Sequence, residues 1–120
     1  MSNVNRLSPN GIDGKALEPS HYVSAENVPG GVLPSESAQT FLASADERFS
    51  VGVWECSPCR EEIKSYPADE YCLVLEGTVE ITADGKTQVF KAGDSFSIRR
   101  GTHLVWNMTT QFKKYFALYI

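Results

Sequence analysis

Long hydrophobic runs are missing from this chain. No stretch approaches the roughly 20 apolar residues that a membrane-crossing helix needs. Positive charge is not in excess either: 11 Lys and Arg stand against 15 Asp and Glu, a net charge of −4. Nothing in that balance favours nucleic acid or an anionic membrane as a partner, because both attract clustered cations. The opening residues, Met1-Ser-Asn-Val-Asn-Arg, have no apolar stretch behind their single charge, so no secretory signal is expected. Cysteine is scarce and odd in number (Cys56, Cys59 and Cys72), which argues against a disulfide scaffold and fits a reducing compartment. No ten-residue segment carries a helical apolar stripe. These absences leave a soluble, cytoplasmic, all-β chain, and its 120 residues suit one domain with its own core.

What is present is a succession of short strand patterns. Residues 1–35 are rich in Ser, Asn, Pro and Gly and read as an extended arm with a few short strand pieces. Residues 36–120 read as the folded body. Strands are expected at 40–43, 48–56, 71–75, 79–82, 87–91, 95–98 and 103–107, separated by Gly, Asp-Gly and Gly-Asp turns, with a last one in Lys113-Lys-Tyr-Phe-Ala-Leu-Tyr-Ile120. In that terminal strand Phe116, Leu118 and Ile120 share one face, and Tyr115, Ala117 and Tyr119 the other. Both faces are apolar, so the strand is expected to be covered twice, by the core and by the arm or a second subunit. Between Pro58 and Pro67 lies a mixed, half-exposed segment. Cys56-Ser-Pro-Cys59 has the spacing of a redox or zinc pair, but a strand precedes it and no second Cys/His pair exists, so both read as ordinary loop cysteines.

The richest stretch runs from Glu70-Tyr-Cys-Leu-Val-Leu-Glu-Gly77 through Gly93-Asp94 and Gly101 to Trp106. Its spacing resembles the cupin superfamily, whose first motif ends in Glu, six residues, Gly. With Gly52-Val-Trp-Glu-Cys-Ser-Pro58, Tyr66-Pro-Ala-Asp-Glu70, Leu75-Glu-Gly77 and Lys114-Tyr115, it is similar to small cupins related to (S)-ureidoglycine aminohydrolase and the ethanolamine-utilisation Q protein, over about residues 40–120. The resemblance implies an antiparallel jelly-roll β-barrel and a homodimer. The aminohydrolase relatives hold manganese with histidines and an acid, and only Glu70 carries over. Lys64 and Tyr66 stand where metal-binding cupins have two histidines, Leu104 where they have a third, and Arg99 where they have proline. Small members that lost the histidines keep the Glu and an aromatic residue, matching Glu70 and Tyr66.

Lys has no lone pair to offer at neutral pH and Leu has no donor at all, so no bound metal or other cofactor is expected. The alternative is manganese or another divalent ion held by Glu70 with His103, which a local bulge would have to turn inward. Alternation within a small barrel points Glu70, Cys72 and Val74 inward and Tyr71 and Leu73 outward. On these types Glu70, Tyr66 and Lys64 are the candidate catalytic groups, with Lys64 and Glu70 holding each other ionised. Trp54, Trp106, Arg99 and Cys72 are candidate ligand contacts, the tryptophans as flat walls and Arg99 as a rim charge. Three readings follow: a metal-free binder of a small polar metabolite, an enzyme on a small nitrogenous metabolite or a metal-free isomerase, and an accessory dimer with a vestigial pocket. One fold hosts many chemistries, so the resemblance alone does not choose among them.

Overall fold

Alternation along the strands builds the body. The computed structural model describes residues 3–120, and the first two residues of the expected arm lie outside them. The strands are β1 (Glu18–Pro19), β2 (Glu36–Ala43), β3 (Phe49–Cys56), β4 (Cys59–Ile63), β5 (Asp69–Glu76), β6 (Thr78–Ala83), β7 (Lys86–Lys91), β8 (Ser95–Ile98), β9 (Leu104–Met108) and β10 (Phe112–Tyr119). They form two antiparallel sheets, ordered β1-β2-β3-β10-β5-β8 and β4-β9-β6-β7. The all-β jelly roll is as expected, but the sheets do not close into one continuous barrel. The chain changes sheet at short turns that cannot extend a ladder. Pro58, between β3 and β4, has no N–H to donate. Gly77, between β5 and β6, has φ +83°, and a Cβ there would collide with the Gln111 carbonyl oxygen.

The core lies between the sheets. From β3 come Trp54 and Cys56, from β5 Cys72 and Val74, from β6 Val79 and Ile81, from β9 Leu104, Trp106 and Met108, and from β10 Phe112 and Phe116. The aromatic rings meet edge to face: Trp54 and Trp106 at 6.3 Å between centroids, Trp106 and Phe112 at 5.8 Å. That geometry suits the ring quadrupoles.

The N-terminal segment crosses the outer face of the larger sheet and then its edge. Ile12 exchanges two hydrogen bonds with the Gln39 side chain (2.8 and 3.2 Å), and Lys113 Nζ donates to Asn10 Oδ1 at 3.1 Å. Gln39, Val53 and Tyr115 occupy one cross-strand row on that face. Val53 is fully buried there, although it points away from the core. The segment then pairs briefly with β2 as β1 and makes short 3₁₀ turns at Ala25–Asn27 and Pro29–Gly31. Among the described residues no helix is long and apolar enough to cross a membrane.

Candidate functional site

Two strands and a turn meet at one buried carboxylate. On β5, Glu70, Cys72 and Val74 face the core and Tyr71 faces solvent, the phase expected from alternation. Tyr66 lies outside any strand and is fixed by backbone bonds to the 99–102 turn, its N–H to the Thr102 carbonyl and its carbonyl from the Gly101 N–H, both at 2.9 Å. Its phenol donates to Glu70 Oε1 at 2.8 Å. The Cys72 thiol donates to Glu70 Oε2 at 3.1 Å, and the Lys114 ammonium from β10 donates to the same oxygen at 2.5 Å.

Lys114 is the cation of the site. In the ladders it sits beside Trp54 on β3 and Val74 on β5. Its Nζ lies 5.2 Å from the Trp54 ring centroid, 4.7 Å from that of Trp106 and 3.5 Å from Cys72 Sγ. Two indole faces and one carboxylate therefore enclose one ammonium, an arrangement of cation–π and charge-assisted contacts. Burial pushes the Glu70 carboxyl up, but the Lys114 charge and the bonds from Lys114, Cys72 and Tyr66 outweigh it and hold it below its ordinary value. Burial pushes the Lys114 ammonium down, and its anionic surroundings outweigh that. At neutral pH Glu70 is the anion responsible, because burial pushes the Cys72 thiol up to about 12 and the Tyr66 phenol higher still. The pair is ionised and the thiol and phenol are neutral.

A second buried carboxylate adjoins the first cluster. Glu36 accepts from Ser20 Oγ (2.6 Å), the Tyr22 N–H (2.9 Å), the Val23 N–H (2.8 Å) and Trp54 Nε1 (3.0 Å). Burial pushes its carboxyl up and these four bonds together bring it below the ordinary value. Trp54 is thus held by Glu36 at its N–H while its ring faces Lys114. The corresponding N–H of Trp106 is buried with no hydrogen-bond partner among the described residues.

The expected contacts divide in consequence. Glu70, Tyr66, Cys72, Trp54 and Trp106 come together. Lys64 does not: it is exposed in the bend after β4, where the strand has ended and alternation no longer sets its direction, and Lys114 takes the place expected of it beside Glu70. Arg99 is 86% exposed and lies 4.0 Å from Asp69 on the surface. His103 faces away from Leu104 and Trp106, and its Nε2 meets Glu62 Oε2 at 2.7 Å. Cys56 ends β3 and Cys59 begins β4, both as free thiols.

This donor set does not fit a divalent metal. Glu70 is its one anionic oxygen ligand, and an ammonium already lies on that carboxylate. Among the described residues no three His, Cys, Asp or Glu side chains are grouped to hold an ion. Two hollows, of about 500 and 360 Å³, open on the surface, one beside Gly77, Lys91 and Gln111 and one between the N-terminal segment and β2. Neither includes Glu70, Lys114 or a tryptophan.

A family model for the EutQ-like cupin domain matches residues 43–116. The chain belongs to this family. Among solved structures, this EutQ-like cupin is similar to an ethanolamine utilisation protein Q from Salmonella typhimurium, at 20% identity and a TM-score of 0.61, with 71% of this chain and 69% of that one covered. It is similar to a protein of unknown function of the DUF861 family from Pseudomonas syringae at 20% identity and a TM-score of 0.80, over 88% of this chain but only 45% of that one. A DUF861 protein from Thermotoga maritima is 29% identical, with a TM-score of 0.52, over 56% of this chain and 76% of that one. No curated protein matches the sequence.

Two residues of the site escaped sequence reasoning. Lys114 is in phase with Phe116 and Leu118, so the period of β10 places it inward, and only its charge argued against that. Glu36 had no comparable signal, because three of its four partners come from a segment without strand or helix periodicity.

Proposed function

We propose that this EutQ-like cupin is a metal-independent binder of a small polar metabolite in a reducing, cytoplasmic setting. Lys114, Glu70, Tyr66 and Cys72 form the polar centre of its site, and Trp54 and Trp106 form the walls. The observation that carries this reading is the polarity kept inside the core: a buried ion pair beside a buried indole N–H, that of Trp106, with no partner among the described residues. Neither is what stability alone selects. A buried pair is often no better than an apolar pair of the same volume, and an unpaired buried donor costs about 1–3 kcal/mol. A ligand bearing a carboxylate or amide oxygen would satisfy Trp106 and use a spare N–H of Lys114. Acid–base catalysis by Tyr66 and Glu70 is less well supported, since the phenol is shifted up and the carboxyl down, both away from neutral pH.

The accessory-scaffold reading is favoured by one observation, that both hollows lie outside the core. Thermal shift against C2–C6 carboxylates, hydroxy acids, amides and ureido compounds separates the two, with metal per subunit measured on the same protein. The binding reading expects a subset of compounds to raise Tm, and Trp106→Phe, which keeps a ring and removes the N–H, to abolish the shift. No shift with any compound, together with a Trp106→Phe protein as stable as the parent, would favour the scaffold. Near-stoichiometric metal lost with Glu70→Gln would favour an enzyme.

A homodimer belongs to the same proposal. The half of the larger sheet's outer face that lies beyond the N-terminal segment bears Leu42, Phe49, Tyr71 and Tyr119, each 39–58% exposed. An apolar area of this kind on one face suits a second copy.

A further inference from the structure

We propose that residues 20–28 are a strap that opens within the folded protein and uncovers the side of the jelly roll where Trp54 and Trp106 lie, with Glu36 as its latch. The larger sheet ends on that side with β2 and the two-residue β1, and the smaller sheet ends with β4. No ladder joins β2 to β4, and the strap fills the gap between them. One backbone bond, from the Ser20 N–H to the Glu36 carbonyl (3.1 Å), carries the β1–β2 pairing to its first residue, and beyond that side-chain carboxylates hold it. Glu36, the first residue of β2, accepts from Ser20, Tyr22 and Val23. Glu61 on β4, paired in register with Trp106, accepts from the Ser24 N–H at 3.2 Å and Asn27 Nδ2 at 3.1 Å.

The apolar hold is slight. Val23 is the one strap side chain fully in the core, Val28 packs partly against it, and Tyr22 is exposed. A segment with few buried apolar contacts and no ladder is the kind that opens without global unfolding. Glu36 gives the opening a consequence inside, because the carboxylate that latches the strap also holds the Trp54 N–H. When the strap leaves, Glu36 loses three of its four donors, and the wall facing Lys114 loses its cover and part of its anchorage.

Cys56 reports on the latch, since it is fully buried and pairs with Glu36 in the β2–β3 ladder. Cys72, also fully buried, lies two strands further in, and serves as the internal control. The experiment is labelling of both thiols by iodoacetamide in a Cys59→Ser background, with the sites resolved by peptide mass and the rates compared with global unfolding. The strap requires Cys56 to react at least about tenfold faster than Cys72 and faster than unfolding allows. Glu36→Gln, and separately Ser20→Ala with Asn27→Ala, should speed Cys56 further and leave Cys72 unchanged. If Glu36→Gln does not fold, the arm-side pair of substitutions carries the test. Equal labelling of both thiols at the unfolding rate, in parent and variants alike, would overturn the strap. No ligand is used, so an opening strap on a protein that binds nothing would sink the binding reading and leave this one standing.

Discussion

Lys114 shares the inner face of β10 with Phe112, Phe116 and Leu118, so its ammonium has no path to water along its own strand. Its charge is tolerated because Glu70 lies 2.5 Å away and two indoles cover the rest. Lys114→Met leaves an ionised carboxylate buried without its counter-charge and should lower stability by about 3–5 kcal/mol. Lys114→Met combined with Glu70→Leu removes both charges and should recover most of that loss. Urea midpoints for the two single variants and the double one measure this, and additive losses would show that the pair is not coupled. Acid gives an independent check. Glu70 and Glu36 both titrate below the ordinary 4.5 in the folded state. Their contribution is therefore complete above about 4.5 and drains away as the pH falls through the lower folded values. The urea midpoint should drop below pH 4.5, less steeply for Glu36→Gln, whereas a flat midpoint down to pH 3 would contradict the depressed carboxyls. At this scale sequence could reach the residues whose direction strand alternation fixes, Glu70, Cys72, Trp54 and Trp106. It failed at Lys64, where the strand has already ended, and at Glu36, three of whose four partners are set by a chain path with no period.

Element boundaries followed the turn chemistry closely, and the exceptions have physical causes. The segment expected to be mixed and half-exposed contains β4, which pairs with β9 from Cys59 to Ile63. Its inward positions are Cys59, Glu61 and Ile63, and an acid in the middle slot masks the alternation. Glu61 is tolerated inside because the strap's N–H groups reach it. Gly77 was legible as a turn, but its demand is stricter than a turn alone. Besides φ +83°, its missing Cβ leaves room for the Gln111 carbonyl, which comes from the loop before β10. Gly→Ala at a position whose backbone suits alanine stabilises by about 0.4–1 kcal/mol, whereas the positive φ and the clash should make Gly77→Ala destabilise by more than that amount. It should also disturb β5, β6 and β10 together, seen as amide shifts in all three strands. A loss confined to the β5–β6 turn would mean that the contact with Gln111 is not limiting.

Over the whole molecule, the larger sheet has two differently dressed halves on its outer face. The N-terminal segment is bonded to Gln39 and Lys113 on one half, where Phe41 also meets Tyr115 edge to face at 5.9 Å between centroids. The next row outward runs through Leu42, Val51, Ala117 and Tyr71, and its ends Leu42 and Tyr71, with the pair Phe49 and Tyr119 beyond, keep large apolar side chains in water. The two-sided apolar pattern of the last strand pointed to a cover of this kind, and the chain itself supplies it over half of the face. In the proposed homodimer, a second copy packing its own bare half against this one would bury like against like, as a two-fold interface requires. A stable pair needs about 800 Å² from each partner, so several neighbouring rows must take part. Sedimentation velocity should give a dimer that persists at micromolar concentration. Tyr71→Lys with Leu42→Lys sets like charges facing each other across the contact and should yield a monomer. That monomer should keep the parent's far-ultraviolet circular dichroism, since neither side chain reaches the core. A monomeric parent would leave this face to another partner, and a lysine variant that still dimerises would move the interface elsewhere, with the edge strand β7 the next surface to test by substitution.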